Sequence, residues 1–108
     1  MDAEDRIAHN ETLFREVNER IEAGQWPTGR GGPASFRCEC GSLRCNRLVE
    51  LTLEEYERVR ASATHFVLVP GHEIPAIERV VERHASHVVV EKEGDAAAAA
   101  EETDPRGD

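Results

Sequence analysis

The stretch that decides the fold is SFRCECGSLRCNRLVEL, residues 35–51, because it holds all three cysteines of the chain. Phe36, Cys38 and Cys40 alternate at period two, which predicts a strand, and residues 48–51 predict the returning strand of a hairpin. Gly41 permits a tight turn that brings Cys45 back toward the other two thiols. We therefore expect a β-hairpin whose tip carries the pattern Cys38-x-Cys40-x4-Cys45.

The number and surroundings of the cysteines indicate a metal site. The count is odd, and the opening residues MDAEDRIAHNE are acidic with no apolar stretch, so neither a structural disulfide nor a secretory signal is expected. A reducing, cytoplasmic location follows, in which clustered thiols are typical metal ligands. Thiolates bind Zn²⁺ tightly and four ligands complete its tetrahedron, whereas iron–sulfur clusters usually take four cysteines. We expect Zn²⁺.

Three cysteines need a fourth ligand, and His72 is the best candidate. It comes just after a predicted strand and the turn Pro70-Gly71. A strand pairing beside the cysteine hairpin would bring that turn to the thiols. His65 is the main competitor, and a carboxylate such as Glu73 is a further alternative.

The residues before the hairpin predict a helix and a loop. Ile7, Phe14, Val17 and Ile21 form an apolar stripe, which predicts an amphipathic helix over residues 1–23. Residues 24–34, GQWPTGRGGPA, form a Gly/Pro-rich loop. Trp26 is its one large apolar side chain and a candidate anchor to the core.

The residues after the hairpin complete an α+β domain over residues 35–92. Thr52 and Glu55 fit a capping box, so a second helix begins there and ends near residues 61–63. Phe66 to Val69 predicts a buried strand. Residues 76–92 admit a helix or a hairpin, and their β-branched valines favour the hairpin, giving a small, mostly antiparallel sheet. Residues 93–108 predict an acidic flexible tail, although their alanine run could extend as a frayed helix.

Charge limits the classes of partner. The net charge of −9 opposes nucleic acids and anionic membranes, and no apolar run reaches the roughly 18 residues of a membrane span. Residues 24–48 are the exception, with four arginines against one glutamate. Arg37, Arg44 and Arg47 of this segment are candidate partner-binding residues.

The expected function is therefore that of a non-catalytic module that binds another protein or regulates it, held together by structural zinc. The pattern predicts neither the identity of the partner nor the oligomeric state. One alternative is nucleic-acid binding by the arginines, with Phe36 or Trp26 stacking on bases. Others are a thiol/zinc redox sensor, and catalysis at an open zinc with Glu73 as general base.

Four stretches, FRCECGSLRC, VELTLEEYERVR, HFVLVPGHE and ERVVERHASHVVVEK, together resemble a family of small uncharacterised bacterial proteins. The shared features are a CECxxxxC tip, an LTxxEY helix start, a PGHE turn and a VVEK end, and the similarity covers about residues 5–92. The resemblance implies that Cys38, Cys40, Cys45 and His72 belong to one unit, and it supplies no reaction. The family often has a similar acidic end with a DPR-like motif, so the resemblance also implies that Asp104-Pro105-Arg106 is not a random sequence.

Overall fold

A computed structural model of the chain describes residues 3–25, 34–42, 44–104 and 106. Its helices are α1 (Ala3–Gln25), α2 (Leu53–Arg60) and α3 (Gly94–Glu102), and its strands are β1 (Ala34–Arg37), β2 (Leu48–Leu51), β3 (His65–Leu68), β4 (Glu78–Arg83) and β5 (Val88–Lys92). β1 and β2 pair as one antiparallel hairpin, and a second antiparallel sheet has the order β3-β5-β4. The predicted α+β architecture is confirmed.

Two local predictions are also confirmed, the capping box at the start of α2 and the hairpin within residues 76–92. The Thr52 hydroxyl accepts from the backbone N–H of Glu55, and the Glu55 carboxylate accepts from the backbone N–H of Thr52. Residues 76–92 contain two strands rather than a helix, as the β-branched valines predict. Trp26 and most of the Gly/Pro-rich segment lie outside the described residues.

The second sheet is covered on both faces, because β3 and β5 send alternate side chains to two apolar clusters. The first cluster joins the hairpin to α2: Ala34, Phe36, Val49, Leu51, Tyr56, Val59, Val67 and Val89. The second cluster joins the cysteines to the opposite face of the sheet: Cys38, Cys40, Cys45, Phe66, Leu68, Val88, Val90 and Ala100. The thiols therefore lie in a core rather than on an exposed hairpin tip.

Helix α1 buries a more polar face than its apolar stripe predicts. Phe14 is buried, but Val17 is 37% exposed. The buried positions beside Phe14 are Glu11, Arg15 and Asn18. Each of them has polar contacts: Glu11 contacts the ammonium of Lys92, and the Nη2 atom of Arg15 donates to the backbone carbonyls of Ala63 and His65, although its Nε has no partner among the described residues. Specific hydrogen bonds thus place polar residues where the periodicity predicted apolar ones.

The described part of the predicted acidic tail, residues 93–108, is largely helical, which is the alternative that its alanine run allowed. Residues 94–102 form α3, and Ala100 is buried against the second cluster. Beyond the helix, Asp104 pairs with Arg60, and Arg106 pairs with Glu19, Glu22 and Glu57. The alanine run forms a helix because of its high propensity and one packed face, and ion pairs hold the residues that follow.

None of the helices in the described ranges is both long enough and apolar enough to span a bilayer.

Candidate metal centre

The cysteine loop leaves the hairpin at the end of β1 and is fixed by backbone hydrogen bonds. The N–H of Cys38 donates to the carbonyl of Arg47 at 3.0 Å, which continues the contact between the two arms of the hairpin. Gly41 has φ +81°, a left-handed conformation that favours glycine. The N–H of Cys45 then donates to the carbonyl of Ser42 at 3.0 Å and closes a turn. The loop thus folds back and returns Cys45 to the other thiols.

His72 comes to the thiols from the end of β3. The N–H of His72 donates to the carbonyl of Val69 at 3.0 Å, which closes the Pro70-Gly71 turn, and Gly71 has φ +93°. The N–H of Val69 donates to Sγ of Cys38 at 3.2 Å. The chain segment that carries His72 is therefore bonded directly to one of the thiols.

The strand that delivers this turn does not pair with the cysteine hairpin as the sequence predicted. β3 pairs with β5 in the second sheet. The link to the cysteine loop is instead Glu39, whose N–H donates to the carbonyl of Val67 at 2.8 Å and whose carboxylate accepts from the N–H of Val67 at 3.1 Å. Glu39 therefore joins β3 to the cysteine loop, a link that we expected from the pairing of two whole strands.

The four side chains converge on a common point. The ligand atoms of Cys38, Cys40, Cys45 and His72 all lie within 4.8 Å of one another. Nδ1 of His72 is 3.6 Å from Sγ of Cys38 and 3.6 Å from Sγ of Cys45. In a tetrahedral site with Zn–S near 2.3 Å and Zn–N near 2.0 Å, neighbouring ligand atoms lie about 3.5–3.8 Å apart. The two distances from Nδ1 of His72 match this spacing, and the group of four is placed to hold one metal ion.

All three thiols are free and buried, whereas His72 is partly exposed. Hydrogen bonding to Cys38 lowers the pKa of Cys40 to about 4, with smaller contributions from the backbone of Ser42 and from His72. The same hydrogen bond, together with burial, raises the pKa of Cys38. Thiolates are the form of cysteine that binds a metal, and a cation in place of the shared proton would interact with both sulfurs.

Glu39 lies between two of the cysteines and is a functional candidate that the sequence pattern did not indicate. It is fully buried, and its Oε2 accepts from Nδ2 of Asn18 at 2.8 Å and from the hydroxyl of Tyr56 at 3.2 Å. Burial raises its pKa, while nearby Arg15 and the donors of Asn18 and Val67 lower it. The metal loop is thereby bonded to α1, α2 and β3 through one side chain. The sequence signal is a glutamate held between two ligands of a CxC pair.

The three candidate partner-binding arginines have different surroundings. Arg37 is held within the protein: its guanidinium lies 3.9 Å from the ring centroid of Phe14 and donates to the carbonyl of Cys45 at 2.9 Å. Arg44 and Arg47 are exposed. Both line an open depression beside the cluster, together with Cys40, Cys45, His72 and Ile74.

The competing fourth ligands lie elsewhere or have other contacts. Nε2 of His65 is 3.9 Å from the carboxylate of Glu91, and His65 is not part of the four-residue cluster. Glu73 accepts from the N–H of Gly71 at 2.9 Å, so its carboxylate stabilises the turn that carries His72.

Together, the fold and the site define a small α+β protein with a Cys₃His cluster able to hold a metal ion. Comparison of the chain with protein-family models, with curated proteins and with solved structures found no match.

Proposed function

We propose that this chain is a structural zinc module whose task is to bind another protein. The observation that carries the proposal is the convergence of three thiols and one imidazole, whose ligand atoms all lie within 4.8 Å of one another. The distances from Nδ1 of His72 to Sγ of Cys38 and Cys45, 3.6 Å each, are those of a tetrahedral site. Four protein ligands fill the coordination sphere of Zn²⁺, which is the arrangement of structural rather than catalytic sites.

Zinc is the metal that suits this donor set best. Thiolate and imidazole ligands favour borderline-soft ions, and tetrahedral coordination by sulfur and nitrogen is typical of zinc. The proposed metal also explains why three thiols are buried together without a disulfide. A reducing, cytoplasmic environment, which keeps thiols available to a metal, is part of the proposal.

The metal would stabilise one end of the molecule. Cys38, Cys40 and Cys45 belong to the hairpin loop, whereas His72 belongs to the turn after β3. One ion would therefore cross-link two segments that are otherwise joined by a few hydrogen bonds. Structural zinc contributes on the order of 10 kcal/mol of apparent folding free energy in small modules.

The surface beside the metal centre supports a partner with an acidic segment. Arg44 and Arg47 are exposed on one side of the cluster, in a chain whose net charge is −9. Such a local positive patch attracts a carboxylate-rich segment, while the rest of the surface repels polyanions such as nucleic acid. Ile74 lines the same depression and offers an apolar contact. We also propose that the chain is related to the family of small bacterial proteins that it resembles in its CECxxxxC and PGHE motifs.

The metal is tested by native mass spectrometry of anaerobically purified protein with one equivalent of zinc. We expect one tightly bound zinc ion per wild-type chain and a lower affinity, by more than about tenfold, in His72→Ala. His9→Ala is the matched control, because His9 is exposed on α1 and outside the cluster. Wild-type protein without metal, or His72→Ala with wild-type affinity, would overturn the assignment.

The docking surface is tested separately, with zinc-loaded protein and two probes, a poly-glutamate peptide and a single-stranded oligonucleotide. We expect the peptide to bind with an affinity that falls with salt, and the Arg44→Gln/Arg47→Gln variant to lose this binding. Arg6→Gln/Arg58→Gln removes two exposed arginines from α1 and α2 and serves as control. Tighter binding of the oligonucleotide, again through Arg44 and Arg47, would instead favour the nucleic-acid function.

A further inference from the structure

A cavity of about 90 Å³ lies between α1, α3 and the second sheet, and no residue of the Cys₃His cluster lines it. Most of its wall is apolar, with Ile7 on the α1 side and Phe66 and Ile77 on the side of the sheet. The wall that α3 contributes is formed mainly by three small side chains, those of Ala96, Ala99 and Ala100. Because these side chains are short, α3 leaves space against α1 and the sheet.

A buried carboxylate, that of Glu11, also lines this cavity, although Glu11 is only 5% exposed. Oε2 of Glu11 contacts the ammonium of Lys92, which also contacts Oε1 of Glu78. Oε2 of Glu78 accepts from the N–H of Ile74 at 2.9 Å. Oε1 of Glu11 is therefore the one carboxylate oxygen of this triad to which no group in the described part of the chain donates.

The triad of Glu11, Lys92 and Glu78 has one more negative than positive charge when all its groups are ionised. The two carboxylates share a single ammonium, and all three side chains are almost inaccessible to solvent. Burial raises the pKa of Glu11 to about 7 even though Lys92 lowers it, so Lys92 does not fully replace the hydration that this carboxylate loses. A cation in the cavity would give Glu11 a second partner. The exposed carboxylate of Asp95, which lines the same cavity, would add to the attraction.

We propose that this cavity binds a small primary amine in its protonated form, with the ammonium against Glu11 and the hydrocarbon part against Phe66 and the alanines of α3. The charges would then alternate from Glu78 through Lys92 and Glu11 to the ligand, and the buried group would be neutral. An apolar cavity of roughly 150 Å³ holds benzene, so a cavity of this smaller volume holds about four non-hydrogen atoms. A three-carbon alkylammonium ion has this size.

The test is an NMR titration of zinc-loaded protein with n-propylammonium chloride at about pH 8, where the carboxylate of Glu11 is mostly ionised. 1-Propanol, with sodium chloride added to the same ionic strength, is the neutral ligand of equal size. We expect n-propylammonium to give saturable shifts of the Ala96, Ala99 and Ala100 methyl signals, with a dissociation constant on the order of 1 mM for so small a ligand. 1-Propanol should bind about tenfold more weakly or less, because it replaces an ion pair with a neutral hydrogen bond.

Three variants test where the amine binds. Ala99→Leu places a larger side chain in the cavity and should abolish the saturable shifts of the remaining alanine methyls. Ala98→Leu is the matched control, because Ala98 is exposed on the same helix and does not line the cavity. Glu11→Gln keeps the shape of the side chain but removes its charge, and should weaken binding of n-propylammonium by about tenfold.

The proposal is overturned if n-propylammonium gives no saturable shifts, or if 1-propanol binds as tightly. It is also overturned if Ala99→Leu or Glu11→Gln binds n-propylammonium with the affinity of the wild type. The zinc content of the same samples is measured separately, so loss of the metal would count against the Cys₃His assignment and not against the amine site.

Discussion

Replacing Glu39 with glutamine tests whether the cysteine loop depends on a buried carboxylate. The wild-type oxygens accept from three donors, Nδ2 of Asn18, the hydroxyl of Tyr56 and the backbone N–H of Val67. Burial raises the pKa of Tyr56, and the charge of Glu39 raises it further by a smaller amount. The hydroxyl of Tyr56 therefore stays protonated and donates. Every neighbour therefore requires an acceptor.

Glutamine offers one acceptor oxygen and one amide that donates. If the amide nitrogen takes the place of Oε1, it meets the N–H of Val67, which has no alternative orientation. If it takes the place of Oε2, it meets the donors of Asn18 and Tyr56. Hydrogen bonds to a charged group contribute about 1.5–3 kcal/mol each, and a buried donor left without a partner costs about 1–3 kcal/mol. We expect Glu39→Gln to lower the free energy of unfolding by about 3 kcal/mol.

Urea unfolding of zinc-loaded protein measures this change, with Glu50→Gln as control because Glu50 is exposed on β2. Chelator competition adds a second measurement. Since Glu39 lies between two proposed ligands and bonds to β3, we expect zinc affinity to fall about 10–100-fold. A Glu39→Gln variant that unfolds within about 0.5 kcal/mol of wild type, with unchanged zinc affinity, would refute the argument that this carboxylate positions the loop.

Three further substitutions test other parts of the fold. Gly41→Ala should destabilise the protein by about 1–3 kcal/mol, because φ is +81° and the added Cβ would lie 2.9 Å from Cγ of Glu11, whereas Gly24→Ala, with open space around it, should not. Burial raises the pKa of Glu11 to about 7, although the nearby ammonium of Lys92 lowers it. Between pH 4.5 and 7 the folded state therefore binds a proton at Glu11 that the unfolded state does not bind. Wild-type stability should therefore fall across that range by up to about 3 kcal/mol relative to Glu11→Gln, and equal slopes in urea unfolding at several pH values would contradict this. Arg106→Gln should cost about 1–2 kcal/mol at low salt, because three glutamates of α1 and α2 lose a shared cation, and the loss should shrink at high salt.

The Cys₃His cluster was predictable because its signals are local. Clustered thiols have few roles in a reducing compartment, and a Pro-Gly turn after an apolar run marks a fixed position for His72. The hairpin over residues 76–92 was predictable for the same reason, since paired valines favour strands. Glu39 was not, because charged residues in loops are usually solvated, and its partners Asn18, Tyr56 and Val67 come from three distant elements.

The order of the acidic tail, residues 93–108, could not be predicted from the sequence either. Its composition is that of a disordered segment, and composition alone does not report the partners that order it. Asp104 meets Arg60, and Arg106 meets glutamates of α1 and α2, contacts that exist only once the helices are in place. Long-range ion pairs of this kind leave no periodicity in the sequence.

The contacts of the cysteine loop separate what the proposed metal holds from what the polypeptide holds by itself. The bonds of Glu39 to Asn18, Tyr56 and Val67 involve no atom that would bind the metal, so they persist when the ion is absent. Among the described residues, the turn that carries His72 has fewer hydrogen bonds to other parts of the protein, and one of them is from the N–H of Val69 to Sγ of Cys38, a proposed ligand atom. Metal loss would therefore loosen the turn before it loosens the hairpin. Because Arg44 and Arg47 lie beside His72 in the same depression, the shape of the proposed docking surface would then depend on the metal ion.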